Sequence, residues 1–303
     1  MGIAEKTFNS GEIIINAGDI GRSFFRLVEG NAVVCADYGK KDQLEIAVLK
    51  AGEYFGEMAI IDEYPRSATV LAKGSVRVIE IPDDEMNEYF SMNPDQIIVL
   101  INHLGDRVRS TTIEYNEAKT LLKKLQSSEN AKKDMSLIAR IKKHIDQHQS
   151  NRIKPTEPSI AAVREAFKNV TGATSGTLES YMKGDIIFKE GQAGNSMYIV
   201  HDGKVVLYGN YGQEDELLIS DLVPFSFFGE TGFSSDEPRI VTAVAESDYT
   251  CVESISPDDL ELMFRSSPEK IDMILRYLSY RLRRLTIDFF NTCKQLTDIC
   301  ENK

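Results

Sequence analysis

Two stretches of this sequence carry chemically useful residues at a fixed spacing. Residues 55–70 read FGEMAIIDEYPRSATV, and residues 228–244 read FGETGFSSDEPRIVTAV. Each holds Phe-Gly-Glu followed by Pro-Arg, with the arginine nine residues after the glutamate. A glycine ahead of a short helical turn lets backbone N–H groups face outward with no Cβ in the way, and such N–H groups favour an anion. Arginine adds a planar fork of donors suited to phosphate oxygens, each charged hydrogen bond contributing about 1.5–3 kcal/mol net. Glutamate repels phosphate but accepts hydrogen bonds from sugar hydroxyls. The three groups together fit a sugar beside a phosphate. That points to a small nucleotide, because no Walker-type lysine loop is present. Taken singly, a Glu and an Arg nine residues apart read more simply as a surface ion pair of little worth. The second occurrence, with Phe-Gly and Pro again beside them, favours a site.

The two stretches belong to a longer repeat. Residues 11–69 align with 184–242 at a shift of 173 without a gap, and 20 of 59 positions are identical. The matches include Gly18/Gly191, Gly21/Gly194, Ser23/Ser196, Gly30/Gly203, Glu57/Glu230, Arg66/Arg239 and Thr69/Thr242. The shift drifts to 175 at Pro82/Pro257 and is 174 at Pro94/Pro268 and Arg107/Arg281. A repeat of this kind reads as one domain duplicated. The expected division is a first domain over 1–127, a helical linker over 128–171 and a second domain over 172–303.

The elements that must position these residues are legible in outline. Residues 12–39 hold short β-branched and aromatic runs cut by glycine, which suits a mainly β barrel or jelly roll with tight turns. Pro82 and the acids behind it fit a helix start, with Pro82 as the first helical residue. After Pro94 the period changes to that of a helix: Ile97, Leu100, Ile101, Leu104 and Val108 recur at three- and four-residue intervals. Ile271, Ile274, Leu275, Leu278, Leu282 and Leu285 do the same in the second copy. Each barrel is therefore expected to be followed by a long amphipathic helix. Between the copies, 132–148 reads as a basic amphipathic helix, 158–170 as a second helical stretch and 171–176 as a flexible linker.

With these motifs in place, both copies resemble the cyclic-nucleotide-binding domain family. That is the domain of the catabolite activator protein and of the regulatory subunit of cAMP-dependent protein kinase. The resemblance rests on F-G-E … P-R followed by A-T-V in the first copy, and it covers almost all of each copy. It implies a β jelly roll with a phosphate-binding cassette and a following helix that acts as a lid. It implies that Glu57 takes the ribose 2′-hydroxyl and Arg66 the cyclic phosphate. Gly56, Met58, Ala59, Ser67 and Ala68 complete that cradle. Carried over to the second copy, it assigns Gly229, Glu230, Thr231, Gly232, Arg239 and Ile240. The second copy departs from the pattern: Ile240 and Val241 replace Ser67 and Ala68, and Phe225 replaces Gly52, so a crowded or altered phosphate pocket is expected there. The ligand implied is cAMP, with cGMP as the alternative. Tyr115 and Phe289, which match at the shift of 174, are candidates for capping the base. By the same analogy, 96–127 is expected to swing over the first site.

Composition narrows the output. The chain has 303 residues, 42% apolar and 27% charged, with a formal charge of −12, which opposes non-specific nucleic-acid binding. No apolar run approaches the ~18–20 residues that span a bilayer. Residues 1–12 have no apolar signal core, and Lys6 stands where a myristoylation signal needs Ser or Thr. Cys35, Cys251, Cys293 and Cys300 lack metal-ligand spacing and read as reduced thiols of a cytoplasmic protein. The histidines are His103, His144, His148 and His201. His144 and His148 are four apart but without an H-E-x-x-H context, so an exposed helix face is expected rather than a metal site. No nucleophile elbow, P-loop or dinucleotide fingerprint appears. The reading is a non-catalytic sensor without metal or cofactor, acting through a protein partner or a homodimer. A kinase regulatory subunit is the alternative. It is disfavoured because the first barrel is expected to begin near residue 8, with no docking or inhibitor segment ahead of it. A DNA-binding regulator of the catabolite-activator type is disfavoured because only about a dozen residues follow Phe290.

Overall fold

A computed structural model of the chain describes residues 2–36, 38–40, 43–57, 65–66, 68–127, 176–233, 237–266 and 268–301. The helical linker expected between the copies lies outside these residues. The chain divides into two compact units. Among the described residues, one comprises 2–93 and 293–301, the other 94–127 and 176–292.

The first unit is an antiparallel β structure built on two long strands. Its strands are β1 (Ala4–Phe8), β2 (Ile13–Ile15), β3 (Ser23–Ala36), β4 (Leu44–Lys50), β5 (Tyr54–Phe55) and β6 (Thr69–Pro82). The order is β1-β6-β3-β4, with β2 also on β6 and β5 also on β3. Phe25, Leu27 and Ala32 of β3 all enter one core with Phe55, Val70, Ala72 and Val78. Strict alternation would put Ala32 on the opposite face from Phe25 and Leu27. Register shifts on either side of Glu29 reset the parity, as a bulge does. Gly30 is the residue that permits this: its φ is +86°, and a Cβ there would stand 2.3 Å from the Ser75 carbonyl oxygen.

The second copy uses the same hinge more sharply. Its strands are β7 (Thr177–Tyr181), β8 (Ile186–Phe188), β9 (Met197–Asp202), β10 (Val205–Gly209), β11 (Leu217–Leu222), β12 (Phe227–Phe228), β13 (Thr242–Ala245) and β14 (Thr250–Ile255). They form two four-stranded antiparallel sheets, β11-β10-β13-β8 and β12-β9-β14-β7. Gly203, the counterpart of Gly30, separates β9 from β10, so what is one bent strand in the first copy is two strands here. Phe188, Tyr198 and Phe228 stack at centroid distances of 5.1–5.9 Å beneath the cassette.

The helices follow the sequence period. The first copy has α1 (Met86–Met92) and is followed by α2 (Asp95–Ser127); the second copy has α3 (Pro257–Ser266) and α4 (Pro268–Glu301). Every apolar position named above for the two long helices is buried. No described helix is long and apolar enough to cross a membrane. Pro257 does open α3, where Ser256 and Asp259 cap each other: the Asp259 N–H donates to Ser256 Oγ and the Ser256 N–H to Asp259 Oδ2. Pro82 differs from the expectation. It ends β6 and precedes a 3-10 turn at Asp83–Glu85, and the helix starts only at Met86. Ile81 stands where the second copy has Ser256, so no side chain is available for that cap.

Sequence order groups α2 with the first barrel, but its described packing is on the second. Lys119 Nζ donates to the Leu218 carbonyl at 2.7 Å and Lys123 Nζ to the Glu214 carbonyl at 3.2 Å.

Candidate nucleotide-binding cassettes

The two arginines are held in the same way. Arg66 donates from Nη1 to the Gly56 carbonyl at 2.9 Å and from Nη2 to the Ser23 carbonyl at 2.5 Å. Arg239 donates from Nη1 to the Gly229 carbonyl at 2.5 Å and from Nη2 to the Ser196 carbonyl at 2.7 Å. Ser23 opens β3 and Ser196 immediately precedes β9, and the turn after β5 or β12 supplies the glycine carbonyl. Both glycines of Phe-Gly-Glu sit at positive φ, +72° for Gly56 and +78° for Gly229, a region that L side chains enter only with strain. A Cβ on Gly56 would lie 2.9 Å from Arg66 Nη1, and one on Gly229 3.0 Å from Arg239 Nη1. The glycines are therefore needed for the fit of the guanidinium as well as for the turn.

Neither guanidinium spends these bonds on its glutamate. Burial pulls both arginine pKa values below the usual one, with Glu57 opposing the fall at Arg66 and Tyr198 and Glu230 opposing it at Arg239. Arg239 is only 3% exposed, and its Nε is buried without a hydrogen-bond partner. Its charge is supported from below by the Phe188 ring, 4.5 Å from Cζ, a cation–π arrangement that helps keep a buried guanidinium charged.

The glutamates are buried beside them, Glu57 at 1% and Glu230 at 2% exposure. Glu230 pairs with Arg281 of α4 at 2.7 Å through Oε2, while its Oε1 is buried with no hydrogen-bond partner. An unpaired carboxylate oxygen at this depth is costly. A sugar hydroxyl would satisfy it. Arg281 also donates to the Phe227 carbonyl at 3.2 Å, tying α4 to the strand ahead of the cassette.

Not every expected residue is in view. Met58, Ala59 and Ser67 lie outside the described residues, and Ala68 is half-buried. Thr231 and Gly232 form a 3-10 turn with Glu230, opened by Gly229. Ile240 lines a cavity of about 330 Å³ with Pro238, Arg239, Glu190, Gly191, Gly209, Asn210, Leu217, Ile113 and Asn116. That volume falls in the range of small-molecule sites. Phe225 takes the place of Gly52 at positive φ, +71°, and is exposed and not among the lining residues. Tyr115 and Phe289 are buried at 7% and 1% exposure, and neither lines this cavity. Lys119 Nζ stands 5.0 Å over the Tyr115 ring.

Sequence reasoning missed several participants. Ser23/Ser196 and Gly21/Gly194 were present as repeated identities, and so was Arg107/Arg281. Their roles required knowing which carbonyls and side chains surround each arginine. Ile113 and Asn116 had no signal, because nothing in the sequence says that α2 walls the second copy.

Comparison with known proteins identifies the family of the two copies. The family model for the cyclic nucleotide-binding domain matches residues 5–93 and 178–267, more than half the chain. The cAMP-dependent protein kinase regulatory subunit of Dictyostelium discoideum is 25% identical over 258 residues, covering 84% of this chain and 63% of the relative. That of Blastocladiella emersonii is 23% identical over 251 residues, covering 82% and 49%. A cGMP-dependent protein kinase of Plasmodium berghei is 25% identical over 245 residues, covering 80% and 22%. The chain thus spans less than two thirds of each of these relatives. Among solved structures, cAMP-bound PfPKA-R shows 19% identity and a TM-score of 0.34, covering 99% of this chain and 84% of that chain. From the two matched segments, this chain belongs to the cyclic nucleotide-binding domain family and carries the domain twice.

Proposed function

We propose that this protein is a non-catalytic cyclic-nucleotide sensor with two sites, in the order Gly56, Glu57, Met58, Ala59, Arg66, Ser67 and Ala68, then Gly229, Glu230, Thr231, Gly232, Arg239 and Ile240. One observation carries the reading. Two arginines, Arg239 buried and Arg66 half-buried, each clamped by a glycine and a serine carbonyl beside a buried glutamate, repeat the same geometry at one sequence shift. A guanidinium sheltered from water attracts a phosphate, and in the second copy the Glu230 carboxylate, with Oε1 unpartnered, attracts a hydroxyl. The favoured ligand is cAMP, which two of the relatives carry in their names. The cassette groups are assigned to binding alone, so the ligand is expected to be bound and released intact.

The ligand can change the protein's conformation only through differential affinity for two states. The proposed receiver is a protein partner or a second copy, in the cytoplasm. The domain boundaries at 127 and 172 remain part of this proposal. The relatives' names favour one partner class, a protein kinase catalytic subunit. Mixing the chain with such a kinase, with and without cAMP, is expected to change phosphotransfer; equal rates in all mixtures would exclude that partner.

The test of the ligand is calorimetric titration with cAMP, cGMP and 5′-AMP, followed by chromatography of the recovered nucleotide. The expected result is tightest binding of cAMP and its full recovery. Binding of 5′-AMP as tight as cAMP, or conversion of cAMP to AMP, contradicts the reading.

A further inference from the structure

Helix α2 is fixed to the second copy's cassette by a row of residues on one face. Gly105 lies under the 3-10 turn, where a Cβ would stand 2.9 Å from the Glu230 carbonyl oxygen. Arg109 pairs with Glu237 at 2.6 Å and donates from Nη1 to the Pro238 carbonyl at 2.9 Å and the Thr231 carbonyl at 3.4 Å. Further along, Lys119 and Lys123 hold the hairpin of β10 and β11 through the Leu218 and Glu214 carbonyls. Positions 105, 109, 113 and 116 follow the three- and four-residue helical spacing and share a face. Ile113 and Asn116 therefore fall between the cassette anchor and the hairpin anchor, and both line the cavity beside Arg239.

Asn116 stands out chemically. Its Oδ1 is buried with no hydrogen-bond partner, and a buried amide left unsatisfied costs stability unless a donor reaches it. Its amide lies near β10: a Cβ on Gly209 would be 3.3 Å from Nδ2. Ile113, Leu217 and Gly209 line the cavity with it, and Glu190 and Asn210 add polar groups. A nucleotide with its phosphate at Arg239 and its ribose at Glu230 leaves one group unplaced, the flat base. The remaining walls suit it: Ile113 and Leu217 offer apolar faces, and Asn116 offers an amide oxygen without a partner, whereas Asn210 Nδ2 already donates to Asp215 and Glu190 already accepts from the Asn210 N–H. An amide pairs naturally with adenine, whose exocyclic amine donates beside a ring-nitrogen acceptor.

We propose that Asn116, which follows the first copy in sequence, is the base-reading residue of the second copy's site, its Oδ1 accepting a hydrogen bond from the exocyclic amine of adenine. This rests on the cyclic-nucleotide reading of that site. It makes the second site composite, with one wall supplied by the helix that leaves the first barrel. It also gives the site a specificity element that the Ile240 side chain, lacking any donor or acceptor, cannot provide.

The test uses the full chain and two ligands, cAMP and cyclic inosine monophosphate, which has a carbonyl oxygen where adenine has its amine. Affinities at each site are separated in the Arg66→Ala and Arg239→Ala backgrounds. In Arg66→Ala, the remaining site is expected to prefer cAMP by about 10-fold or more. Adding Asn116→Ala is expected to weaken cAMP by a similar factor and abolish the preference. Adding Asn116→Asp instead keeps the acceptor oxygen and is expected to retain the preference. Site 1, measured in Arg239→Ala with Asn116→Ala, is expected to be unchanged, which shows that the first unit still folds. If the second site binds cAMP with unchanged affinity and preference after Asn116→Ala, or loses its preference equally with Asn116→Asp, the inference is overturned while the site stands. If Arg66→Ala alone abolishes all nucleotide binding, the second site and the inference fall together.

Discussion

Gly21 and Gly194 each crowd a guanidinium: a Cβ would lie 2.8 Å from Arg66 Nη2 and 2.9 Å from Arg239 Nη2. The obstructed atoms are side-chain ends, so the fold can absorb a methyl group by displacing the arginine. Gly194→Ala is therefore expected to leave the unfolding midpoint nearly unchanged while weakening cAMP at the second site by about tenfold, the equivalent of one charged hydrogen bond. Calorimetry and thermal unfolding on the same sample check both halves. A large loss of stability with intact binding would contradict the role given to that glycine. At this scale the sequence was informative about Glu57, Arg66, Glu230 and Arg239, because charged residues repeated at one spacing are conspicuous. It was silent on what they touch. Arg239 is held by main-chain carbonyls, and carbonyls have no residue-type signature. The partner of Glu230 is Arg281, 51 residues away, visible beforehand only as a repeated arginine.

Elements carry separate consequences. The capping pair of Ser256 and Asp259 satisfies backbone donors at the start of α3, so Ser256→Ala is expected to cost about 1 kcal/mol, read as a lowered denaturation midpoint. The matching change Ile81→Ala in the first copy removes no cap. Tyr277 of α4 is buried against the Phe227 ring at 5.3 Å, and burial pushes its pKa up to about 12, with Arg281 opposing. In the unfolded chain a tyrosine ionises near pH 10. Between those values the folded state binds more protons than the unfolded one, so stability falls as pH rises. Tyr277→Phe is expected to flatten that fall between about pH 10 and 12 and to change little near neutrality. Arg109→Ala is expected to speed amide exchange around 105–116, since it removes the anchor to Glu237, Pro238 and Thr231; unchanged exchange would contradict the pinning of α2. The periods of α2 and α4 were legible because three- and four-residue apolar spacing reports directly on a buried face. The late start of α1 is not legible in the sequence, because Pro82 fits a strand end as readily as a helix start. The partner of α2 was hidden because amphipathicity identifies a buried face and not what buries it.

For the whole molecule, duplication was legible from the identities, since a constant shift without gaps has few other causes. What each copy does with its site is the larger question. The second copy departs at Ile240, Val241 and Phe225, yet it retains the arginine clamp and an open cavity, and Phe225 is exposed outside that cavity. Both copies are therefore proposed to bind ligand. The most direct measurement is the number of cAMP molecules bound per chain in the wild type, Arg66→Ala and Arg239→Ala. Two, one and one are predicted, with the surviving site in each variant keeping its own affinity. Two sites remaining after either substitution, or one site in the wild type that Arg239→Ala leaves untouched, would contradict the account.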